Sequence, residues 1–159
     1  MSDYKYYLNL CIEQTNNGNF EEALEYAEKS IELNPNVALS YFSKAIVFHN
    51  LGSLRAAYEN YQKAIELDEN MIDAYYNKAQ AILGFDNPTE EEFKEALNNL
   101  KTATELDPKF IDAHYFSAIV KKKLKDYKGA IDSLNKVLEI EPQAPYSRAL
   151  KKLIEQKYL

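Results

Sequence analysis

The 159-residue sequence holds one cysteine, no tryptophan, four glycines and five prolines. A lone Cys11 excludes an internal disulfide framework and any cysteine-rich zinc site. So few turn-forming residues, with no alternating Val/Ile/Thr runs between them, argue against a β-sandwich or barrel and for an all-α chain. No apolar run approaches the roughly 18 residues that a membrane span requires, so membrane insertion is not expected. The first residues include Asp3 and no continuous apolar stretch, unlike a secretory signal. Basic residues are outnumbered 19 to 25, and a net charge of −6 has the wrong sign for a general nucleic-acid binder. No Gly-rich phosphate loop, His-Glu-x-x-His or EF-hand spacing is present, which argues against a cofactor, a metal, a small-molecule substrate or catalysis. The composition, 46% hydrophobic and 28% charged, is that of an ordered globular chain, expected in the cytoplasm.

What is there is a repeat. Phe20-Glu-Glu-Ala-Leu, Leu54-Arg-Ala-Ala-Tyr, Phe93-Lys-Glu-Ala-Leu and Tyr127-Lys-Gly-Ala-Ile place alanines at 23, 57, 96 and 130, in steps of 34, 39 and 34. Ile31-Glu-Leu-Asn-Pro, Ile65-Glu-Leu-Asp-Glu, Thr104-Glu-Leu-Asp-Pro and Leu138-Glu-Ile-Glu-Pro follow with the same steps. Upstream, Tyr41-Phe-Ser-Lys-Ala, Tyr75-Tyr-Asn-Lys-Ala and His114-Tyr-Phe-Ser-Ala match one another, with Tyr7 and Cys11 at the equivalent places of the first copy. Apolar residues recur at three and four within each half, as in Leu24, Ala27 and Ile31, so each copy predicts two amphipathic helices. Gly18 and Gly52 fall where the first helix must end in a left-handed residue, and Pro35, Pro108 and Pro142 stop the second. Small residues at Cys11, Ala45, Ala79 and Ala118, and at Ala23, Ala57, Ala96 and Ala130, suit helices crossing at close range.

This pattern resembles the tetratricopeptide repeat: an aromatic in the first helix, a small residue four later, Gly at the turn, then Ala, a bulky residue, Ala and Pro. The resemblance implies a single domain over 1–159, a right-handed superhelical α-α solenoid of antiparallel helix pairs. Its repeats run 4–37, 38–71, 72–110 and 111–144, with a capping helix at 145–159. Departures are Ser30 and Val137 for Ala, Glu69 for Pro, and Lys125 for the usual turn Gly. The third copy carries a five-residue insertion around Gly84–Phe93, where Asn87 as N-cap, Pro88 and Glu90 predict a helix start and a second helix about one turn longer.

In the family, the second, fifth, sixth and ninth positions of each first helix face a concave binding groove. Carried over, these are Lys5, Leu8, Asn9 and Ile12; Leu39, Phe42, Ser43 and Ile46; Asp73, Tyr76, Asn77 and Gln80; and Asp112, Tyr115, Phe116 and Ile119. His49, near the end of its helix, is placed on the same surface. Leu8 with Ile12, Phe42 with Ile46 and Tyr115 with Ile119 would form apolar stripes, the mark of a partner surface; packing between neighbouring first helices is the competing reading. Phe42, Ile46, Tyr76 and Tyr115 are the expected anchors and Asn77 the expected donor to a ligand backbone. Co-chaperone members of the family grip a carboxylate with a Lys, Asn, Asn, Lys, Arg clamp. On the first three copies those places hold Leu8, Ile12, Ser43, Asp73 and Asn77, and on the last three Phe42, Ile46, Asn77, Asp112 and Phe116, so that ligand is not expected.

The resemblance therefore implies a non-catalytic interaction module or scaffold that binds a peptide or helix of another protein. A dedicated chaperone that shields a hydrophobic client segment is the alternative. Charge adds a second candidate surface. Residues 1–108 carry 8 basic and 19 acidic residues, and residues 109–159 carry 11 and 6. Lys121, Lys122, Lys123, Lys125 and Lys128 crowd the last inter-helix turn, where they would steer an acidic partner or lie solvated. Nucleic acid is disfavoured there, for Tyr127 is the only interleaved aromatic. Weak self-association between acidic and basic ends is a further candidate. Cys11 and His114 occupy packing positions of the repeat.

Overall fold

The structure, a computed structural model that describes residues 3–159, contains helices and no strand among those residues. The helices are α1 (Tyr4–Asn16), α2 (Phe20–Leu33), α3 (Ala38–Asn50), α4 (Leu54–Leu67), α5 (Ile72–Leu83), α6 (Glu90–Leu106), α7 (Ile111–Lys123), α8 (Tyr127–Ile140) and α9 (Pro145–Tyr158). They fall into two compact units, one running through Asp86 with α1 to α5 and the other Asn87–Leu159 with α6 to α9.

Helix ends follow local chemistry. Asp3 caps α1, its Oδ1 accepting from the backbone N–H groups of Lys5 at 3.0 Å and Tyr6 at 3.2 Å. Gly18 and Gly52 adopt φ of +79° and +73° between the paired helices, the left-handed geometry that lets the chain reverse. At the matching turn before α8, Lys125 takes the same conformation at φ +63°.

The insertion behaves differently from its Asn87-Pro88-Glu90 reading. Asn87 lies in the left-handed region at φ +54°, and Thr89 is the N-cap. Thr89 Oγ1 accepts from Glu92 N at 3.1 Å while the Glu92 carboxylate accepts from Thr89 N at 2.8 Å. This reciprocal box satisfies two N–H groups at once, and it fixes the start of α6 at Glu90, with Pro88 outside the helix. At 17 residues, α6 is one turn longer than the 14-residue α2, α4 and α8.

In the unit through Asp86, α1 packs on α2 and α3, α3 on α4, and α4 on α5. Cys11, Ala23, Ala27 and Val47 form one buried cluster, and Ala45, Ala57, Tyr61 and Ala81 another. In the unit from Asn87 onward, Ala118, Ala130, Leu134 and Ile154 form the core under Leu150 and Tyr127. All eight small residues of the repeat pattern are fully buried. Enlarging one would overpack a helix crossing, at a cost of about 1–3 kcal/mol.

Polar side chains tie successive copies together. Ser30, buried on α2, donates to the Tyr4 carbonyl at 3.0 Å and shares a 2.8 Å hydrogen bond with buried Ser40 on α3. A serine in an alanine slot thus links α2 to the backbone of α1 and to α3, which alanine could not do. Lys44 reaches back from α3 to Glu28 at 3.3 Å, and Lys78 reaches back from α5 to Gln62 at 2.6 Å. At the end of the chain, the Tyr158 ring stacks on Tyr127 at 4.4 Å and 9°.

Candidate functional site

Two hollows lie beside first helices, one in each unit. The first, about 220 Å³, is lined by Ile12, Thr15 and Asn16 of α1 and by Leu39, Phe42, Ser43 and Ile46 of α3. No charged side chain lines it. Ile12 and Leu39 are 39% and 43% exposed, so its rim is apolar and open to solvent. Phe42 and Ile46 are held from beneath by the cluster around Tyr61, with the Phe42 and Tyr61 rings 5.7 Å apart. A floor packed in this way presents its apolar surface already ordered, which lowers the entropy cost of binding.

Of the expected groove residues, Ile12, Phe42, Ser43 and Ile46 meet in this hollow. Leu8 does not: it is buried, because this face of α1 packs in the interior, and its stripe with Ile12 is broken. Asn9 is exposed one residue further along. His49 is turned inward, its Nδ1 sharing a 3.2 Å hydrogen bond with the hydroxyl of fully buried Tyr61. Burial pushes the Tyr61 phenol far up and the His49 imidazole down, so both stay neutral near pH 7. The pair braces α3 on α4 beneath Phe42. The histidine's partner is a tyrosine twelve residues away on the next helix, a contact that helix periodicity alone does not announce.

Tyr76, Asn77 and Gln80 sit on α5, outside the lining of both hollows. Asn77 Nδ2 donates to the Asp73 carbonyl at 2.8 Å, so the amide expected to reach a ligand backbone is bonded to its own helix. Gln80 Nε2 is buried and has no hydrogen-bond partner.

The second hollow, about 350 Å³, is formed by Ile111, Asp112, Tyr115 and Phe116 of α7, Val137 and Glu141 at the end of α8, and the first turn of α9. The Tyr115 and Phe116 rings meet edge to face at 5.6 Å. Asp112 and Glu141 give its rim a negative sign that the first hollow lacks. Ile119 is half-buried and outside this lining. The start of α9, the expected capping helix, thus supplies part of the wall through Pro145, Tyr146 and Ser147.

The five clustered lysines do not share one surface. Lys121 Nζ donates to Ser133 Oγ on α8 at 2.9 Å, Lys122 lies 6.0 Å from the Tyr158 ring on α9, and Lys123 lies 5.7 Å from the Phe93 ring on α6. Successive residues of α7 point 100° apart, so a run of like charges is dealt out to three neighbouring helices. Lys125 and Lys128 stay exposed.

Among the described residues no group of three His, Cys, Asp or Glu is placed to hold a metal, and no helix is long and apolar enough to cross a membrane. Cys11 is fully buried, and its thiol is pushed up by that burial. His114 Nε2 bonds the Pro108 carbonyl at 2.9 Å.

No curated protein sequence matches the chain. Among solved structures, a crystal structure of MamA superposes with a TM-score of 0.83 at 22% identity, over 91% of this chain and 81% of that one. PilF of Pseudomonas aeruginosa superposes with a TM-score of 0.79 at 21% identity, over 97% and 68%. The first TPR of Spaghetti (RPAP3), bound to the HSP90 peptide SRMEEVD, gives 0.71 at 16% identity, over 77% and 94%. At these identities the likeness shows the fold. Tetratricopeptide repeat models match residues 4–37 and 89–154, and a TPR repeat model matches 47–83. With that register, those helix pairs and those buried alanines, the chain belongs to the tetratricopeptide repeat family.

Proposed function

We propose that this chain is a non-catalytic interaction module that holds an apolar side chain of a partner's peptide or helix in the hollow between α1 and α3. One observation carries the reading: Ile12, Leu39, Phe42 and Ile46 converge on a 220 Å³ space with no charge in its lining. That volume accepts one or two large apolar side chains. Each is worth roughly 1.5–3 kcal/mol when buried, so the hollow alone sets a weak, exchangeable interaction against an association cost of about 4–15 kcal/mol. The similar domain of Spaghetti is bound to a peptide, which supports a peptide ligand of a different kind here. The charge reversal at Asp73 and Asp112 argues against a terminal carboxylate in this chain.

The test is an affinity capture from cell extract with the intact chain beside Phe42→Glu, followed by titration of the captured partner's segment. A glutamate at position 42 places a charge in the hollow; because Phe42 also packs on the buried cluster of Ala45, Ala57, Tyr61 and Ala81, the helical spectrum serves as the control for folding. Selective loss of a partner, with an unchanged helical circular-dichroism spectrum, supports the reading. Equal recovery of every captured protein would overturn it.

A further inference from the structure

The face of α7 opposite Tyr115 and Phe116 carries His114, Ser117 and Lys121, spaced three and four apart and therefore on one stripe. That stripe is the floor of a separate cleft of about 310 Å³, walled by Lys101 of α6 and by Asp132, Ser133 and Lys136 of α8. It lies within one unit and shares none of these residues with either apolar hollow.

The repeat register shows what is unusual about it. The place of Lys101 is held by Glu28 and Gln62 in the earlier copies, and the place of Ser117 by Lys44 and Lys78. At those two junctions a first-helix lysine finds an acceptor on the preceding helix. Between α6 and α7 the lysine has moved to the second helix and faces a serine, whose hydroxyl is committed to the Ala113 carbonyl at 2.7 Å. The internal pairing is gone, and a second lysine, Lys121, has been added to the floor.

Lys121 is half-buried, and its Nζ donates to Ser133 Oγ at 2.9 Å. An ammonium has three donors. Among the described residues one hydroxyl accepts from it, and it forms no ion pair with a carboxylate. Ser133, accepting from Lys121, keeps its own proton to donate. Lys101 and Lys136 form ion pairs within their own helices, with Glu105 at 3.6 Å and Glu139 at 3.0 Å, and all four side chains are more than half exposed. Such pairs contribute little and exchange readily. Three ammonium groups from three helices thus surround the cleft against one lining carboxylate, Asp132.

We propose that this cleft receives the phosphate of a phosphorylated side chain on a partner polypeptide, with Lys121 and the Ser133 hydroxyl at its centre and Lys101 and Lys136 at its sides. Three point charges arriving from three directions fit a dianion with three terminal oxygens. A planar carboxylate would meet only two of them.

The intact chain is titrated, by amide chemical shifts at about 0.15 M salt, with a phosphoserine hexapeptide, its serine and glutamate versions, inorganic phosphate and an oligothymidine. The phosphoserine peptide is expected to give saturable shifts at Lys101, Lys121, Ser133 and Lys136, and the serine peptide none. Lys121→Gln should weaken binding about tenfold, the loss of one charge-assisted hydrogen bond, and Lys136→Gln by a smaller factor. Lys128→Gln, outside the cleft, should change it less than about twofold. Should Lys121→Gln fail to fold, Lys136→Gln against Lys128→Gln decides. Equal binding of the serine or glutamate peptide, equal or tighter binding of free phosphate or oligothymidine, or equal losses for Lys128→Gln and the cleft variants would each overturn the proposal.

Discussion

Lys78 Nζ donates to Gln62 Oε1 at 2.6 Å, and one copy earlier the same two register positions hold Lys44 and Glu28 at 3.3 Å. The two contacts are alike in register and unlike in burial. Lys78 is 4% exposed and lies 4.6 Å from the Tyr58 ring, whereas the Glu28 side chain is 59% exposed. Gln62→Ala removes an acceptor from a buried ammonium and is expected to lower stability by about 1–3 kcal/mol. Glu28→Ala removes half of a surface pair and should cost about 0–1 kcal/mol. Urea unfolding of the two variants distinguishes these values; equal costs would contradict the difference in burial.

Lys125→Gly is expected to stabilise the chain. At φ +63° the lysine Cβ crowds its own backbone, a strain of about 1–2 kcal/mol that glycine relieves, less the entropy glycine adds to the unfolded state. The reverse change, Gly52→Ala at φ +73°, meets no neighbouring atom within 4 Å and should be destabilising for the backbone reason alone. Thermal melts should move in opposite directions.

Stability should depend on His49 in mild acid. Burial lowers its proton affinity in the folded state below the ordinary value of 6.5, so the unfolded chain binds the extra proton first. The folded state therefore keeps its full stability above about pH 6.5 and loses it as pH falls below that value. Glu66, held low by hydrogen bonds from Gln62 and Lys63, and Glu90, held low by Lys94, lose their contribution only below the ordinary carboxylate value of 4.5, outside that window. Unfolding midpoints of the wild type and His49→Gln between these limits check it: the wild type should slope and the variant should flatten.

Gln80→Met keeps the length of the side chain and deletes a buried donor that has no partner. Stability should hold or rise by about 1 kcal/mol, since an unsatisfied donor costs about 1–3 kcal/mol to bury. A loss of the same size, measured in urea, would show that the amide is engaged in solution.

The helix pairs were legible in the sequence because their signals are local or strictly periodic. Gly18 and Gly52 end first helices by backbone geometry alone, and eight small residues in one register can only be crossing points. Residues within the site were harder. Leu8 and Ile12 share one helical stripe, yet four residues of travel carry one into the interior and leave the other on a rim. Periodicity gives the face of a helix and not the depth to which each turn is covered. His49 and Asn77 are diverted by partners, Tyr61 and the Asp73 carbonyl, that only folding brings into reach. The start of α6 was expected at Asn87-Pro88, two residues too early: Thr89 with Glu92 wins because the reciprocal pair satisfies two donors.

The lysine and acceptor that join neighbouring copies also restrict how copies can be exchanged. Excising residues 35–68 would bring Lys78 opposite Glu28, a match of sign. Excising 111–144 would set Lys151, the equivalent residue of α9, against Lys101, two cations at one seam. The chain is thus written in one register yet is not freely shuffled: its closing helix α9 can follow α8 and is repelled by α6.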